Sequence, residues 1–292
     1  MSTDRPTIGY IGIGLMGEPM VHRLLDAGYT VHVWNRTAAK MNDVVAKGAV
    51  AHETPRAVAE NADYVFMCLM DAKSIEAVVF GENGIATSNH PKIIVDFGTI
   101  NPDTARDFAA RLRQSNGASW VDAPISGGVP GAVAGSLAIM AGGDAADIKT
   151  LRPIVANLSA RFTHMGGTGA GLLTKLCNQI IVGCTMSVIA EAVHFAEKSG
   201  VNAKTLTQAL AGGFADSKPF QLFAPRMAAR DFENPMGATD TMIKDLVTVS
   251  DVATRSGAKT PMTDQSLNIL QNASDFGDGD KDISAIVNVF TR

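Results

Sequence analysis

The chain has 292 residues, roughly twice a typical domain of about 100–150, so one large domain or two of medium size are expected. Hydrophobic residues make up 46% of the chain and charged residues 18%, which indicates a globular protein with a large core and excludes a disordered or coiled chain. The net charge of −4 provides no basic surface, so neither nucleic acid nor an acidic membrane is expected as a partner.

The cysteines bear on the cellular compartment. Cys68, Cys177 and Cys184 cannot all pair within one chain, and none lies in a CxxC motif, so neither a disulfide framework nor a cysteine zinc site is predicted. The scattered histidines show no metal-ligand spacing, and no metal is predicted. The polar N-terminal sequence MSTDRPT is not typical of a secretory signal. We therefore expect reduced thiols in a cytoplasmic protein.

Short apolar runs alternate with helix-like segments over residues 7–164. Buried strands are predicted at residues 7–11, 30–34, 64–68, 92–96 and 119–123, and an antiparallel edge strand at residues 137–143. The first intervening segment is amphipathic and ends at Gly28, and Asn101 followed by proline is typical of a helix start. This alternation predicts an α/β fold with a parallel sheet and right-handed crossover helices.

A glycine motif directly follows the first predicted strand. It reads Gly12-Ile13-Gly14-Leu15-Met16-Gly17. Gly12 permits a tight turn, Gly14 lets the backbone approach a pyrophosphate, and Gly17 allows close packing of helix and strand. Free N–H groups at the start of the following helix would bind the anion. Because the motif lies between a strand and a helix, it predicts a dinucleotide site rather than a ligand-free turn.

The segment Trp34-Asn35-Arg36-Thr37, after the second predicted strand, bears on the identity of the dinucleotide. NAD sites usually carry an acidic residue about twenty residues past the glycines, where it binds the ribose 2′-hydroxyl. No acidic residue is present in this segment. Arg36 is suited to pair with a 2′-phosphate, and Asn35 and Thr37 to hydrogen-bond it. The sequence favours NADP, with NAD as the alternative. Arg36 could also be a surface arginine without a role in cofactor binding.

Helical periodicity replaces the strand–helix alternation after Gly169. A long, largely apolar helix is predicted to run to about Ser199 and to be closed by Gly200. Its uncharged stretch, residues 176–190, is shorter than the ~18 apolar residues of a membrane span, so a buried helix is expected. Further helices are predicted at residues 203–211, 242–255 and 262–273.

Lys175 is a candidate for acid–base chemistry. It begins a stretch of the long helix that is otherwise uncharged as far as Glu191, and Asn178 and Gln179 follow it on the same helical face. A lysine with apolar surroundings has a lowered pKa and exchanges protons near neutral pH. A lysine in the first turns of a helix also commonly extends its ammonium group to water. The residues alone leave both interpretations open.

Four blocks of the chain together resemble the β-hydroxyacid dehydrogenase family, which includes 3-hydroxyisobutyrate dehydrogenase, tartronate semialdehyde reductase and glyoxylate/succinic semialdehyde reductase. The blocks are IGYIGIGLMGEPM near the N-terminus, DAPISGGVPGA at residues 122–132, GAGLLTKLCNQ at residues 169–179 and IKDL at residues 243–246. The order and spacing of these four blocks are highly specific for this family. The resemblance implies a Rossmann-type domain at residues 1–164 and an all-α domain of the 6-phosphogluconate dehydrogenase type at residues 165–292, which assembles into homodimers or homotetramers.

The resemblance also implies residue roles. Lys175 matches the catalytic lysine, and Asn178 matches the asparagine that orients the substrate. The loop that binds the substrate carboxylate is matched by Ser126, Gly127 and Gly128. Positions that contact the cofactor are matched by Leu69, Met70, Thr99 and Lys244. The implied activity is the NADP(H)-dependent interconversion of a short β-hydroxyacid and its semialdehyde, with Lys175 as general acid and base.

Three alternative functions are weighed against this expectation. They are an NAD-dependent 3-hydroxyisobutyrate dehydrogenase, a cofactor-binding module without turnover and an imine reductase. A binding module would need only the glycines, so Lys175, Asn178 and the Ser-Gly-Gly loop favour an enzyme. Imine reductases replace the lysine with an acidic or tyrosine residue, and this chain retains Lys175.

Overall fold

The computed structural model describes residues 5–90, 92–233 and 235–292. The chain divides into two compact units, Met1–Lys175 and Leu176–Arg292. The first unit is α/β and the second is helical, in agreement with the predicted fold class. The predicted boundary between residues 164 and 165 falls within the last strand of the first unit, Ser159–Gly166.

The first unit is built on one sheet. Its strands are β1 (Ile8–Ile11), β2 (Val31–Trp34), β3 (Val50–Ala51), β4 (Tyr64–Met67), β5 (Ile93–Asp96), β6 (Ser119–Asp122), β7 (Ile125–Ser126), β8 (Leu137–Gly142) and β9 (Ser159–Gly166). In the described residues the order is β3-β2-β1-β4-β5-β6-β8-β7, with β9 paired to β8. The strands from β3 to β6 are parallel, and the chain reverses direction across the sheet between β1 and β4. Ligands bind at such switch points in doubly wound sheets.

Helices cover both faces of this sheet. They are α1 (Gly17–Asp26), α2 (Asn42–Ala46), α3 (Pro55–Glu60), α4 (Ala72–Phe80), α5 (Pro102–Asn116), α6 (Gly128–Ala134) and α7 (Ala145–Val155). Alternate strand residues point to opposite faces, so Tyr10 and Phe66 enter one core while Ile11 enters the other. The predicted start of α5 is confirmed, because the Asn101 side chain accepts a hydrogen bond from the Asp103 N–H at 2.9 Å.

The prediction that β8 lies at the sheet edge is wrong. β8 is antiparallel to β6 as predicted, but β9 pairs with its other side in parallel. Phe162 is the one buried residue of β9, so this strand lacks the apolar pattern by which the other strands could be predicted. The two-residue strands β3 and β7 were also not predicted, because runs of that length carry no periodicity.

The second unit contains most of a long helix and the helices that follow it. The helices are α8 (Ala170–Lys198), α9 (Leu206–Leu210), α10 (Lys218–Ala229), α11 (Thr239–Ser256) and α12 (Pro261–Ala273), and short 3₁₀ turns span Ala203–Thr205 and Ile283–Phe290. The predicted long helix is confirmed. Helix α10 was not predicted, because Pro225 lies in its interior, where proline normally ends a helix.

Helix α8 is, within the described part of the chain, the one helix long and apolar enough to cross a membrane by length and composition. The same test is passed by the core helix of a soluble protein, so it is weak support for a membrane span. Met186, Ile189 and Val193 of this helix are buried in the core of the second unit.

Two buried aspartates, Asp96 and Asp122, are paired in register at the carboxyl ends of β5 and β6. Burial raises the pKa of Asp96 to about 7, against a 2.8 Å hydrogen bond from the Gly98 N–H, and burial raises the pKa of Asp122 to about 6. The Asp122 carboxylate accepts hydrogen bonds from the N–H groups of Gly169 at 2.6 Å and Leu172 at 2.9 Å. Asp122 therefore anchors the start of α8 to the sheet.

Asp96 makes the stability of the fold depend on pH. Its pKa is raised above the ordinary 3.8, so the folded state holds this proton more tightly than the unfolded state. The stabilisation is complete below pH 3.8 and is lost as the pH rises through about 7. Asp96→Asn keeps the shape but cannot ionise, and we expect it to raise the free energy of unfolding at pH 8 by roughly 1–4 kcal/mol, and by less at pH 5.

Urea denaturation at both pH values measures this difference. Asp144→Asn is the control, since Asp144 is an exposed carboxylate that caps α7. An equal change for Asp96→Asn at the two pH values would contradict the assignment.

Candidate functional site

A cavity of about 730 Å³ lies in the first unit, where the chain leaves β1, β2 and β4. This is the switch point of the sheet. Most of the residues predicted to bind the cofactor line it, namely Gly12, Ile13, Gly14, Leu15, Met16, Gly17, Asn35, Arg36, Thr37, Leu69 and Met70. Thr99 is half-buried after β5 and is not part of this lining, and Lys244 lies on α11 in the second unit.

The glycine-rich wall of the cavity fits a pyrophosphate. Gly12 has a φ of +97°, and a Cβ there would overlap the carbonyl oxygen of Cys68. A Cβ on Gly17 would overlap the carbonyl oxygen of Gly12, whereas one on Gly14 would meet no atom within 4 Å. Helix α1 starts here, and its N-cap residue Met16 makes no side-chain capping bond. The Glu18 N–H donates to the Gly14 carbonyl at 3.0 Å, but Met16 caps none of the first N–H groups of α1, as in anion sites at helix N-termini.

The loop after β2 forms the cationic end of the cavity. The Asn35 side chain accepts a hydrogen bond from the Ile13 N–H at 3.0 Å and donates one to the Thr37 carbonyl at 2.9 Å, so it ties this loop to the glycine motif. Arg36 and Lys40 are exposed on the lining. The sequence analysis missed Lys40, although a short 3₁₀ turn after Thr37 is enough to bring it to this side.

The other walls of the cavity come from the loop after β4 and from helix α4. Met70 and Leu15 are 77% and 83% exposed, so apolar side chains face the space that a bound ligand would occupy. Lining residues that were not predicted include Pro55, Ser74, Glu82 and Asn83. Their positions depend on how α3 and α4 pack, and no motif in the sequence marks them.

The predicted carboxylate-binding loop follows β6 in the same unit. Ser126 ends β7, which pairs antiparallel with β8. Gly127 and Gly128 have φ values of +131° and +62°, a region that favours glycine. Gly127 and Gly128 are exposed and Ser126 is half-buried, so the loop is accessible. It begins four residues after Asp122, the residue that anchors α8.

Helix α8 carries the predicted catalytic lysine. Lys175 is half-buried and lies one turn after Leu172, whose N–H bonds to Asp122. The strand that leads into the Ser-Gly-Gly loop and the helix start that leads into Lys175 are therefore joined through one carboxylate. Asn178 lies on the same helix, three residues beyond Lys175.

Asn178 and Lys244 are linked by side chains that the sequence analysis did not assign. Asn178 Nδ2 donates to Gln179 Oε1 at 2.7 Å, and Gln179 Nε2 donates to Asp245 Oδ2 at 2.7 Å. The ammonium group of Lys244 lies 3.6 Å from Asp245 Oδ1. Two predicted site residues of the second unit are thus connected through buried groups.

The described residues contain no group of three or more His, Cys, Asp or Glu side chains that could hold a metal ion. The three cysteines are free thiols. Burial, with a contribution from Asp96, raises the pKa of Cys68 to about 12, so this thiol beside the cavity is protonated at neutral pH.

Comparisons with known proteins agree with this geometry. Residues 7–167 match the family described as the NAD binding domain of 6-phosphogluconate dehydrogenase, and residues 169–290 match the NAD-binding domain of NADP-dependent 3-hydroxyisobutyrate dehydrogenase. The chain is 36% identical to 2-hydroxy-3-oxopropionate reductase of Escherichia coli (strain K12), with 96% of this chain and 95% of that one covered. It is 35% identical to a probable mitochondrial 3-hydroxyisobutyrate dehydrogenase-like protein of Arabidopsis thaliana, covering 99% and 95%.

Solved structures give the same result. The chain is similar to 3-hydroxyisobutyrate dehydrogenase of Mycobacterium tuberculosis, solved with L-serine, with a TM-score of 0.88, 28% identity, and 98% and 99% of the two chains covered. The glycine-lined cavity, the parallel sheet and matches over nearly the full length of these proteins lead to one conclusion. The chain belongs to the β-hydroxyacid dehydrogenase family, oxidoreductases that bind a nicotinamide cofactor and act on CH–OH groups.

Proposed function

We propose that this protein is an NADP(H)-dependent oxidoreductase that interconverts a short β-hydroxyacid and its semialdehyde. The observation that carries the proposal is the carboxylate of Asp122, which joins the strand before the Ser-Gly-Gly loop to the helix that bears Lys175. An anion-binding loop and a proton donor held by one buried group suit a substrate with both a carboxylate and a carbonyl. The names of the relatives support this substrate class.

The residues of the large cavity suit a nicotinamide dinucleotide. In the proposal, the glycine motif and the first N–H groups of α1 bind the pyrophosphate. Arg36 and Lys40 bind the 2′-phosphate, with Thr37 at their side and Asn35 holding the loop. Further cofactor contacts are proposed for Leu69, Met70, Thr99 and Lys244. The bound cofactor would supply or accept the hydride at the substrate carbon.

Lys175 holds and moves the proton in this proposal. During reduction, negative charge develops on the carbonyl oxygen of the semialdehyde, and the ammonium group of Lys175 stabilises that oxygen and protonates it. During oxidation the neutral amine removes the hydroxyl proton. The backbone N–H groups and the hydroxyl of Ser126, Gly127 and Gly128 bind the carboxylate, and Asn178 orients the substrate beside the lysine.

Two further proposals concern the setting of the enzyme. We propose that it forms a homodimer or homotetramer through its helical unit, since Ile181, Val188 and Phe195 repeat every seven residues on α8 and are 67%, 57% and 71% exposed. We also propose a cytoplasmic location, in line with the three free cysteines. An NAD-dependent 3-hydroxyisobutyrate dehydrogenase is the second candidate function, because relatives are named after 3-hydroxyisobutyrate dehydrogenase and these names state no cofactor.

A panel of short semialdehydes assayed with NADPH and with NADH tests the function. We expect turnover of at least one C3 or C4 semialdehyde acid, with NADPH preferred. The matching aldehyde whose carboxylate is replaced by an amide should lose most of its kcat/KM, because the loop interactions act in the transition state. Equal turnover of the acid and the amide would refute the assignment of the carboxylate loop.

Lys175→Ala should lower kcat by at least ~10²-fold, the usual scale of acid–base catalysis, while the dissociation constant of NADPH changes little. Steady-state kinetics and nicotinamide fluorescence measure the two quantities. Lys198→Ala is a matched control, since Lys198 is exposed at the far end of the same helix. A Lys175→Ala enzyme that retains most of its kcat would rule out the proposed role.

Arg36→Asp should reverse or abolish the preference for NADPH, because a carboxylate repels the 2′-phosphate that the guanidinium binds. A charge-assisted hydrogen bond contributes about 1.5–3 kcal/mol, so the ratio of kcat/KM for the two cofactors should change by roughly ten- to a hundredfold. Arg161→Asp, at an exposed position on β9, is the charge-matched control. The proposal fails if the wild type prefers NADH or if Arg36→Asp leaves the ratio unchanged.

A further inference from the structure

Three side chains of the second unit form a continuous hydrogen-bonded chain. Asn178 and Gln179 are neighbours on α8, and Asp245 lies on α11. Asn178 Nδ2 donates to Gln179 Oε1 and Gln179 Nε2 donates to Asp245 Oδ2, both at 2.7 Å. Gln179 is 7% exposed and Asp245 is 4% exposed, so water does not replace these bonds.

The carboxylate of Asp245, at the buried end, fixes the direction of every hydrogen bond in this hydrogen-bonded chain. A carboxylate only accepts hydrogen bonds, so Gln179 must turn its NH₂ group toward Asp245. The Gln179 carbonyl oxygen then faces Asn178, which must present its own NH₂ group to that oxygen. The carbonyl oxygen Oδ1 of Asn178 is left as the outward acceptor of the chain.

Two further contacts keep this direction from reversing. Gln179 Nε2 also lies 3.9 Å from the sulfur of Met242, a weak acceptor that again favours the NH₂ group on this side. The ammonium group of Lys244, which can only donate, lies 3.6 Å from Asp245 Oδ1, so donors face both oxygens of this carboxylate. A flipped Gln179 would place two acceptor oxygens against each other in a buried position, which is costly.

We propose that Asp245 is a positioning residue that acts through Gln179 to hold the Asn178 amide with its carbonyl oxygen available to the hydroxyl of the substrate. The inference rests on the proposed function, since it assigns the substrate contact to Asn178. While Lys175 is protonated, its ammonium group donates to the hydroxyl oxygen of the substrate, and the hydroxyl donates its own proton to Asn178 Oδ1. When the amine is neutral, it takes that proton in the oxidation step. The arrangement therefore selects acids that carry a hydroxyl group over acids of the same length that lack one.

The test measures how much the hydroxyl group contributes to affinity. The NADPH-saturated enzyme is titrated calorimetrically with 3-hydroxypropanoate and with propanoate, which differ by one hydroxyl group and do not react with the reduced cofactor. The wild type should bind the hydroxy acid more tightly. Asp245→Asn can donate as well as accept, so Gln179 and Asn178 are free to flip, and the preference should fall by about three- to tenfold, the value of one hydrogen bond.

A second variant changes the middle residue of the hydrogen-bonded chain. Gln179→Met keeps the length of the side chain but cannot accept from Asn178, and it should reduce the preference in the same way. Asp251→Asn is the matched control, because Asp251 is exposed on the same helix and pairs with Arg255 at 3.0 Å. It should bind both acids as the wild type does.

A merely structural role predicts a different result. If Asp245 only stabilises the packing of α8 and α11, its replacement will lower the affinity for both acids by the same factor. That result overturns the proposal. A wild type without preference for the hydroxy acid overturns it as well. The proposed function is tested separately by turnover of the semialdehyde panel, so an enzyme that reduces semialdehydes but keeps its hydroxyl preference in Asp245→Asn refutes this inference alone.

Discussion

The placement of the start of α8 depends on one interaction, the acceptance of its N–H groups by the buried carboxylate of Asp122. The residue before α8 is Gly169, which has no side chain with which to cap its own helix. The cap is supplied instead from the end of β6, so the helix cannot shift without breaking hydrogen bonds to a group that water does not reach. The side chains at the start of α8 are thereby held in position relative to the sheet and to the loop that follows β6.

Buried carboxylates recur in this protein where chain segments must be held in one orientation. Asp96 fixes the turn at Gly98, Asp122 fixes a helix start, and Asp245 fixes an amide. In its ionised form each group accepts hydrogen bonds only, which gives its neighbours a single allowed arrangement. The cost appears in the raised pKa of Asp96 and of Asp122, because burial disfavours the charge that makes them strong acceptors. The fold thus gives up some stability at neutral pH for defined geometry near the site.

The sequence predicts those parts of the molecule that depend on local pattern. The parallel strands, the helix start at Asn101 and the glycine motif follow from apolar runs and from residues with special backbone preferences. Features set by tertiary packing could not be predicted. Strand β9 has one buried side chain and forms because β8 offers it a free edge. Gln179 and Asp245 meet although 66 residues separate them. Lys40 enters the site through a short turn that no periodicity marks.

Two different constraints require glycine in the glycine motif: packing within the protein and the approach of a ligand. The G-x-G-x-x-G pattern does not show which constraint acts at which glycine. Gly12 and Gly17 are required by neighbouring backbone oxygens, and any side chain there would disrupt the loop whether or not a cofactor is present. At Gly14 the protein itself would tolerate a side chain, because nothing lies within 4 Å of a Cβ at that position. Only a bound ligand excludes it. A related protein that no longer binds a cofactor would still need glycine at positions 12 and 17 in order to fold. It would no longer need glycine at position 14. A substitution at position 14 alone would therefore indicate that the nucleotide site has lost its function.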